Sequence, residues 1–283
     1  MLLNTLPDCT KYGNSRTKPV KNTVIIADTQ DGYFYPEHPT PYLFVANFRN
    51  KGRYMLNKRS IEVSDRHFYF LNANDNLEIN FPKAISLKTI LILFDTNFIY
   101  DGFHYLENSE ERLLAMPETP MNKEIFFPNI PFDLDDKIHS ILLGLAGSQE
   151  ATLLNLIAAV RMQRNHTQKR IQGIKAVKRA TKEELYRRLI LARDFMNDNI
   201  TENITIDEIA QQACLNKFHF LSNFRDVFDT TPHRYLIELK LQYALRLLKD
   251  TSVSETCFQL GFSSPASFSL LFRKRFGFPP SQA

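Results

Sequence analysis

Only three cysteines, Cys9, Cys214 and Cys257, stand in 283 residues. They are too few and too scattered for a disulfide framework, and none forms the Cys-x-x-Cys pair of zinc or redox sites, so reduced thiols are expected. No apolar run approaches the roughly 18 residues a membrane helix needs. Residues 1–21 lack the basic flank, apolar core and small-residue cleavage site of an export signal. A cytoplasmic protein without a membrane partner is expected. There is no glycine-rich phosphate loop, no Gly-x-Ser-x-Gly and no Cys/His nucleophile arrangement, which argues against the common enzyme classes. What is present is 43% hydrophobic and 23% charged residues, the balance of a globular chain rather than a disordered, collagen-like or coiled-coil one. The length predicts two domains, each with its own core.

Charge is unevenly distributed. Residues 1–160 carry 15 Lys+Arg against 19 Asp+Glu, and residues 161–283 carry 20 against 12, so the halves stand near −4 and +8. Such an asymmetry suggests a polyanion partner for the second half. Most of the excess lies in 161–193, with 11 bases and two acids. That run reads equally well as a solvated linker and helix face.

From Asn22 to about Phe98, short apolar runs at Val24–Ala27, Tyr42–Phe48, His67–Leu71 and Leu87–Phe94 are separated by turn residues, including Asn72–Asn76. This predicts an all-β barrel or sandwich. Past Pro131 the period becomes helical, through Leu134, Ile138, Ile141, Leu142 and Leu145, with Gly147 as a stop and Ser148 as a cap. A second helix is expected over about 149–163. Its Leu153, Leu154, Leu156, Ile157 and Val160 cover more surface than one barrel face needs, which points to a dimer interface, with packing on the barrel as the alternative. Thr181 with Glu184, and Thr205 with Glu208, carry the capping-box spacing that opens a helix.

The last 80 residues contain a repeat. Ile206, Ala210 and Cys214 match Val253, Cys257 and Gly261 at an offset of 47; Phe220, Phe224, Arg225, Phe228 and Pro232 match Phe268, Phe272, Arg273, Phe276 and Pro280 at 48. One residue is inserted in the second turn. Each unit has a short helix, a tight turn and a second helix with apolar residues every fourth position, the pattern of a helix-turn-helix. The phenylalanines read as core. Lys217, Phe218, Leu221, Ser222 and Arg225 face outward in the first unit, and Ala266, Ser269, Leu270, Arg273 and Lys274 in the second. Between the units a helix is expected from about Pro232 to Leu248; about 17 residues give roughly 26 Å. With its flanking helices it can hold two recognition helices about one DNA turn, ~34 Å, apart.

Ile206-x-x-Ile-Ala, Leu215-Asn-Lys-Phe-His-Phe, Thr231-Pro-x-x-Tyr-Leu, Gly261-Phe-Ser-Ser and Phe268-x-x-x-Phe-Arg-Lys-x-Phe-Gly-x-x-Pro resemble the AraC/XylS family of bacterial transcription regulators, over about 100 residues from Leu185 on. The resemblance implies a seven-helix DNA-binding domain with two helix-turn-helix units joined by a long helix, and in many members a preceding cupin-like effector and dimerisation domain. Members commonly continue a few residues beyond the position of Ala283. They often carry Gln and Arg on the first recognition helix where this chain has Leu221 and Ser222, and Arg on the second where it has Leu270. Leu and Ser cannot make the bidentate guanine contact, so apolar contact of Phe218, Leu221 or Leu270 with thymine methyls and shape readout predict an A·T-leaning site. Arg225, Lys240, Arg273, Lys274 and Arg275 are expected on phosphates. His219 joins the DNA-facing set, although His219 and His233 also read as packing residues. No ligand spacing supports zinc on Cys214, His219, His233 and Cys257.

The resulting expectation is an α+β chain. A cupin-like β-barrel with a helical dimerisation segment spans 1–165, a basic linker 166–180, and an all-α domain with two helix-turn-helix units 181–283. The expected partners are promoter DNA, a second copy, a small-molecule effector and, for an activator, RNA polymerase. No cofactor or metal is expected. A cupin-type metal enzyme is disfavoured because Gly32 and His38 open its motif but Thr40 stands where the next histidine belongs, and His67 and His104 are isolated. A protein-interaction module is the other alternative. Tyr33, Tyr42, Phe44, Phe68 and Phe70 are the candidates for an effector pocket, with barrel core as their competing reading.

Overall fold

A computed structural model describes residues 1–7, 21–30, 32–83, 86–107, 125–147 and 150–283. Cys9 and the cap expected at Ser148 lie outside them. The chain divides into two compact units, Met1–Gln168 and Lys169–Ala283.

Among the described residues the first unit is built on ten strands: β1 Leu2–Leu3, β2 Thr23–Thr29, β3 Tyr33–Pro39, β4 Tyr42–Arg49, β5 Gly52–Leu56, β6 Arg59–Val63, β7 His67–Leu71, β8 Asn76–Phe81, β9 Leu87–Phe94 and β10 Phe132–Asp133. They form a six-stranded sheet, β1-β2-β9-β4-β7-β10, and a four-stranded sheet, β3-β8-β5-β6. Two-residue alternation sorts the side chains of the larger sheet. Leu43, Val45, Tyr69, Leu71 and Leu91 join Tyr54, Leu56, Leu77, Ile79 and Phe81 of the smaller sheet in one buried cluster. The opposite parity, Tyr42, Phe44, Phe68 and Phe70, makes a second aromatic layer. Among the described residues the two sheets are not hydrogen-bonded into a closed ring. The expected barrel is therefore a sandwich of two open sheets, within the expected α+β class. The Asn72–Asn76 turn forms as expected, with the Asn72 amide donating to the Asp75 carboxylate at 2.8 Å.

Helix α1, Thr96–Glu107, starts where Asp95 Oδ1 accepts from the Asn97 and Phe98 amides. Helices α2, Asp136–Leu143, and α3, Glu150–Gln172, are the expected pair, but α3 runs nine residues past the expected end at Gln163. Leu153, Leu156, Ile157 and Val160 are all buried. A Cβ on Gly102 of α1 would lie 3.4 Å from the Ile157 side chain, so α3 packs on α1. The apolar face read as a dimer interface is thus covered by the chain's own first unit, the alternative that the sequence left open.

The second unit holds α4 Arg179–Asp198, α5 Ile206–Gln212, α6 Lys217–Phe228, α7 Pro232–Leu247, α8 Val253–Gln259, α9 Pro265–Phe276 and a closing 3₁₀ turn, Pro280–Gln282. That is six α-helices and a 3₁₀ turn beside the seven helices that the resemblance implies. The capping box expected at Thr181 is absent: α4 starts after Lys178 with no side-chain cap, and Glu184 instead pairs with Arg187 and Arg188.

Candidate nucleic-acid interface

The two repeats are nearly superimposable in local chemistry. Thr205 and Glu208 close a full capping box at the start of α5, and Ser252 and Glu255 close the same box on α8. Each glutamate accepts from its cap residue's amide, at 2.7 Å and 2.9 Å. These backbone N–H donors, with the cap hydroxyls second, hold both carboxyls below their ordinary pKa of 4.5. The chain then turns through left-handed backbone at Cys214, φ 50°, and at Gly261, φ 69°. The second turn, 260–264, is one residue longer than the first, 213–216. Asn216 caps α6 and Ser264 caps α9. Both helices end on left-handed caps, Asp229 and Gly277.

Matching phenylalanine ladders fix how each second helix sits. Ring centroids are 5.5 and 4.6 Å apart along Phe220, Phe224 and Phe228, and 5.7 and 4.6 Å along Phe268, Phe272 and Phe276. Phe220, Phe224, Phe268 and Phe272 are wholly buried. With that stripe turned inward, the opposite faces of α6 and α9 meet solvent. Lys217, Phe218, His219, Ser222 and Arg225 are exposed on α6, and Ala266, Leu270, Arg273, Lys274 and Arg275 on α9; Leu221 and Ser269 are half-buried at the margins. Phe218 is 85% and Leu270 71% exposed, an arrangement that costs solvation and buries nothing in the free chain. Both helix-turn-helix repeats hang on α7, whose Thr231 side chain and Pro232 open it.

The helix-turn-helix domain family matches residues 209–283. The HTH-type transcriptional regulator ArgR of Pseudomonas aeruginosa is 36% identical over 89 residues, 31% of this chain and 27% of that protein. The virulence regulon transcriptional activator VirF of Yersinia enterocolitica is 27% identical over 159 residues, 56% of this chain and 49% of its own length. A solved AraC-type transcriptional regulator from Chromobacterium violaceum is 30% identical, covering 34% of this chain and 87% of that one, with a TM-score of 0.32. Residues 209–283 are a helix-turn-helix domain. The chain spans half or less of the length of these two curated relatives.

Within the helix-turn-helix domain and the helices before it, the structure reassigns several basic residues. Lys240, expected on a phosphate, is 7% exposed; burial pushes its ammonium pKa down, and it donates to the Glu202 carbonyl at 3.4 Å. Periodicity misses this because α7 is packed from two sides and has a wider buried face than one apolar stripe. Lys217 pairs with Asp207 at 2.9 Å and Arg275 with Glu238 at 2.6 Å, both at exposed positions where such pairs are weak and exchangeable.

The basic run 161–193 is largely engaged internally. Arg161 donates to the Leu106 carbonyl, and Arg164 lies over the Phe127 ring at 5.2 Å. Arg170 and Arg193 both lie over Phe228, at 5.7 and 5.1 Å. Lys182 donates to Gln172, Arg179 pairs with Glu183, and Lys175 pairs with Asp226. The segment read as a linker therefore belongs partly to the domain's body: Gly173 and Lys175 line an open cleft with Arg225, Asp226 and Asp229 at the end of α6. The complementary signal in the sequence is the acidic pair Asp226 and Asp229 opposite that basic run.

The five effector-pocket candidates divide between two faces. Phe44 stacks on Phe68 at 4.8 Å and Phe70 on Phe127 at 4.1 Å, while Tyr42 donates from its hydroxyl to the Ile125 carbonyl. Tyr33 packs against the inter-sheet cluster instead. Of the histidines weighed for a metal, His38 lies on β3, His67 on β7 and His104 on α1. Among the described residues no three metal-ligating side chains converge.

Proposed function

We propose that this chain is a DNA-binding transcriptional regulator in which α6 and α9 enter successive major grooves on one face of a duplex. The observation that carries the reading is the duplication itself: two capped, phenylalanine-anchored helices on one connecting helix, each with a solvent-facing side that mixes cations with a large exposed apolar residue. Arg225, Arg273 and Lys274 serve as phosphate contacts, with Lys217 and Arg275 recruited by exchanging their surface partners. Phe218 and Leu270 present hydrocarbon to thymine methyls, so the site leans to A·T. The 16-residue α7 is about 24 Å long; with the flanking helices it suits a groove repeat of about 34 Å. One chain suffices for two grooves. In this reading the sheet-rich unit senses a small molecule. VirF is described as an activator, and activation with RNA polymerase as partner is the sign proposed here.

Gel retardation with fragments of the gene's own regulatory region at about 50 and 200 mM salt tests this. Retardation that weakens steeply with salt is expected, and Arg273→Ala lowers the slope of log K against log salt by about one. Absence of retardation at low salt, or binding insensitive to salt, contradicts the reading and favours a protein-docking module.

A further inference from the structure

Lys240 lies at the junction of the two reading units. The first unit leans on the N-terminal half of α7, where Phe224 meets Tyr235 edge to face at 5.7 Å. The second closes its core on the C-terminal half, where Leu241 and Ala244 pack with Cys257, Leu260, Phe268 and Phe272. Lys240 sits between these halves, and its ammonium reaches both flanks. On one side it donates to the carbonyl of Glu202, in the loop that leads into α5. On the other it stands 3.4 Å from where a Cβ on Gly261 would be, at the turn of the second unit. The same Cβ would collide with the side-chain oxygen of Asn203. Three segments that are distant in sequence therefore converge on one buried cation, in a space kept open by the missing side chain of Gly261.

A buried ammonium is costly unless it is hydrogen-bonded, and an apolar side chain of similar length would fill the same space without that cost. We infer that Lys240 is a positioning residue: by tying the Glu202–Asn203 loop to the Gly261 turn, it sets the second recognition helix relative to the first and so the spacing of the two half-sites the domain accepts. The inference rests on the proposed DNA-binding function and adds to it the residue that couples the two readers.

The test uses the full chain with Lys240→Met and Lys240→Arg. Affinity is measured by fluorescence anisotropy on a two-half-site duplex selected from a random pool and on fragments carrying one half-site each. Coupling of two sites in one molecule multiplies affinity through effective concentration. Lys240→Met is therefore expected to bind single half-sites within about twofold of the parent chain and the complete site about tenfold more weakly; Lys240→Arg restores most of the loss. In parallel, nitroxides on Phe218→Cys and Leu270→Cys, with Cys9 and Cys214 changed to serine, report the distance between recognition helices without DNA. A narrow distribution that broadens in Lys240→Met supports the assignment. Equal losses on complete and half-sites, no loss at all, an unchanged distance distribution, or loss of cooperative melting each overturn it in favour of a lysine that only fills space or only stabilises. Failure of the parent chain to bind DNA would sink the DNA-binding reading, while the nitroxide distances would still decide the coupling.

Discussion

At the scale of single residues, the two units solve one backbone problem with different amino acids. Gly261 and Cys214 occupy equivalent turn positions at positive φ, where a non-glycine residue pays roughly 1–2 kcal/mol. Cys214 is exposed, so its side chain has little packing to lose. Cys214→Gly is expected to stabilise the domain by about 0.5–1 kcal/mol after the added freedom of the unfolded glycine is subtracted; a lower melting temperature would show that the cysteine contributes more than its backbone costs. At the ladder positions, Phe224→Ala or Phe272→Ala is expected to cost about 3–5 kcal/mol, read by denaturant unfolding, because each ring is wholly buried. These residues are legible in the sequence because i, i+4 spacing and the 47/48 offset expose them. Lys240 is not, since a charged residue on a helix reads as surface until a second packed face is known.

At the scale of elements, capping fixes where the short helices α5 and α8 begin, and these seven-residue helices are too short to be stable alone. Both capping-box glutamates titrate below their ordinary value in the folded state. Their contribution is therefore complete above the unfolded value near 4.5 and is lost as pH falls through the lower folded value. Thermal unfolding of Glu208→Gln/Glu255→Gln is expected to change less than the parent between about pH 6 and pH 3.5; parallel curves would contradict a capping role for the carboxylates. The Thr205 signature is visible in the sequence and forms, while the same spacing at Thr181 is bypassed because α4 begins earlier and Glu184 is taken by two arginines. Helix α1 escapes sequence reading: its TNFIYDGFHYLE stretch is rich in weak helix formers, and its Asp95 cap lies directly against a β-strand run.

At the scale of the whole molecule, composition suggested a basic face over 161–193, and the structure uses much of that charge for internal pairing and ring contacts. Arg225, Arg273 and Lys274 stay outward on α6 and α9, too few to show in a whole-chain charge count, and the burial of the α3 stripe removes the sequence argument for a dimer. In the proposed function two readers in one chain share one duplex. This is tested most directly by the affinity of the full chain for duplexes carrying the same two half-sites at centre-to-centre separations of about 10, 15 and 21 base pairs. The tightest binding is expected at about 10 base pairs, with a loss to the single-half-site level at about 15, where the second site faces the opposite side of the helix. Equal affinity at all three separations would contradict it.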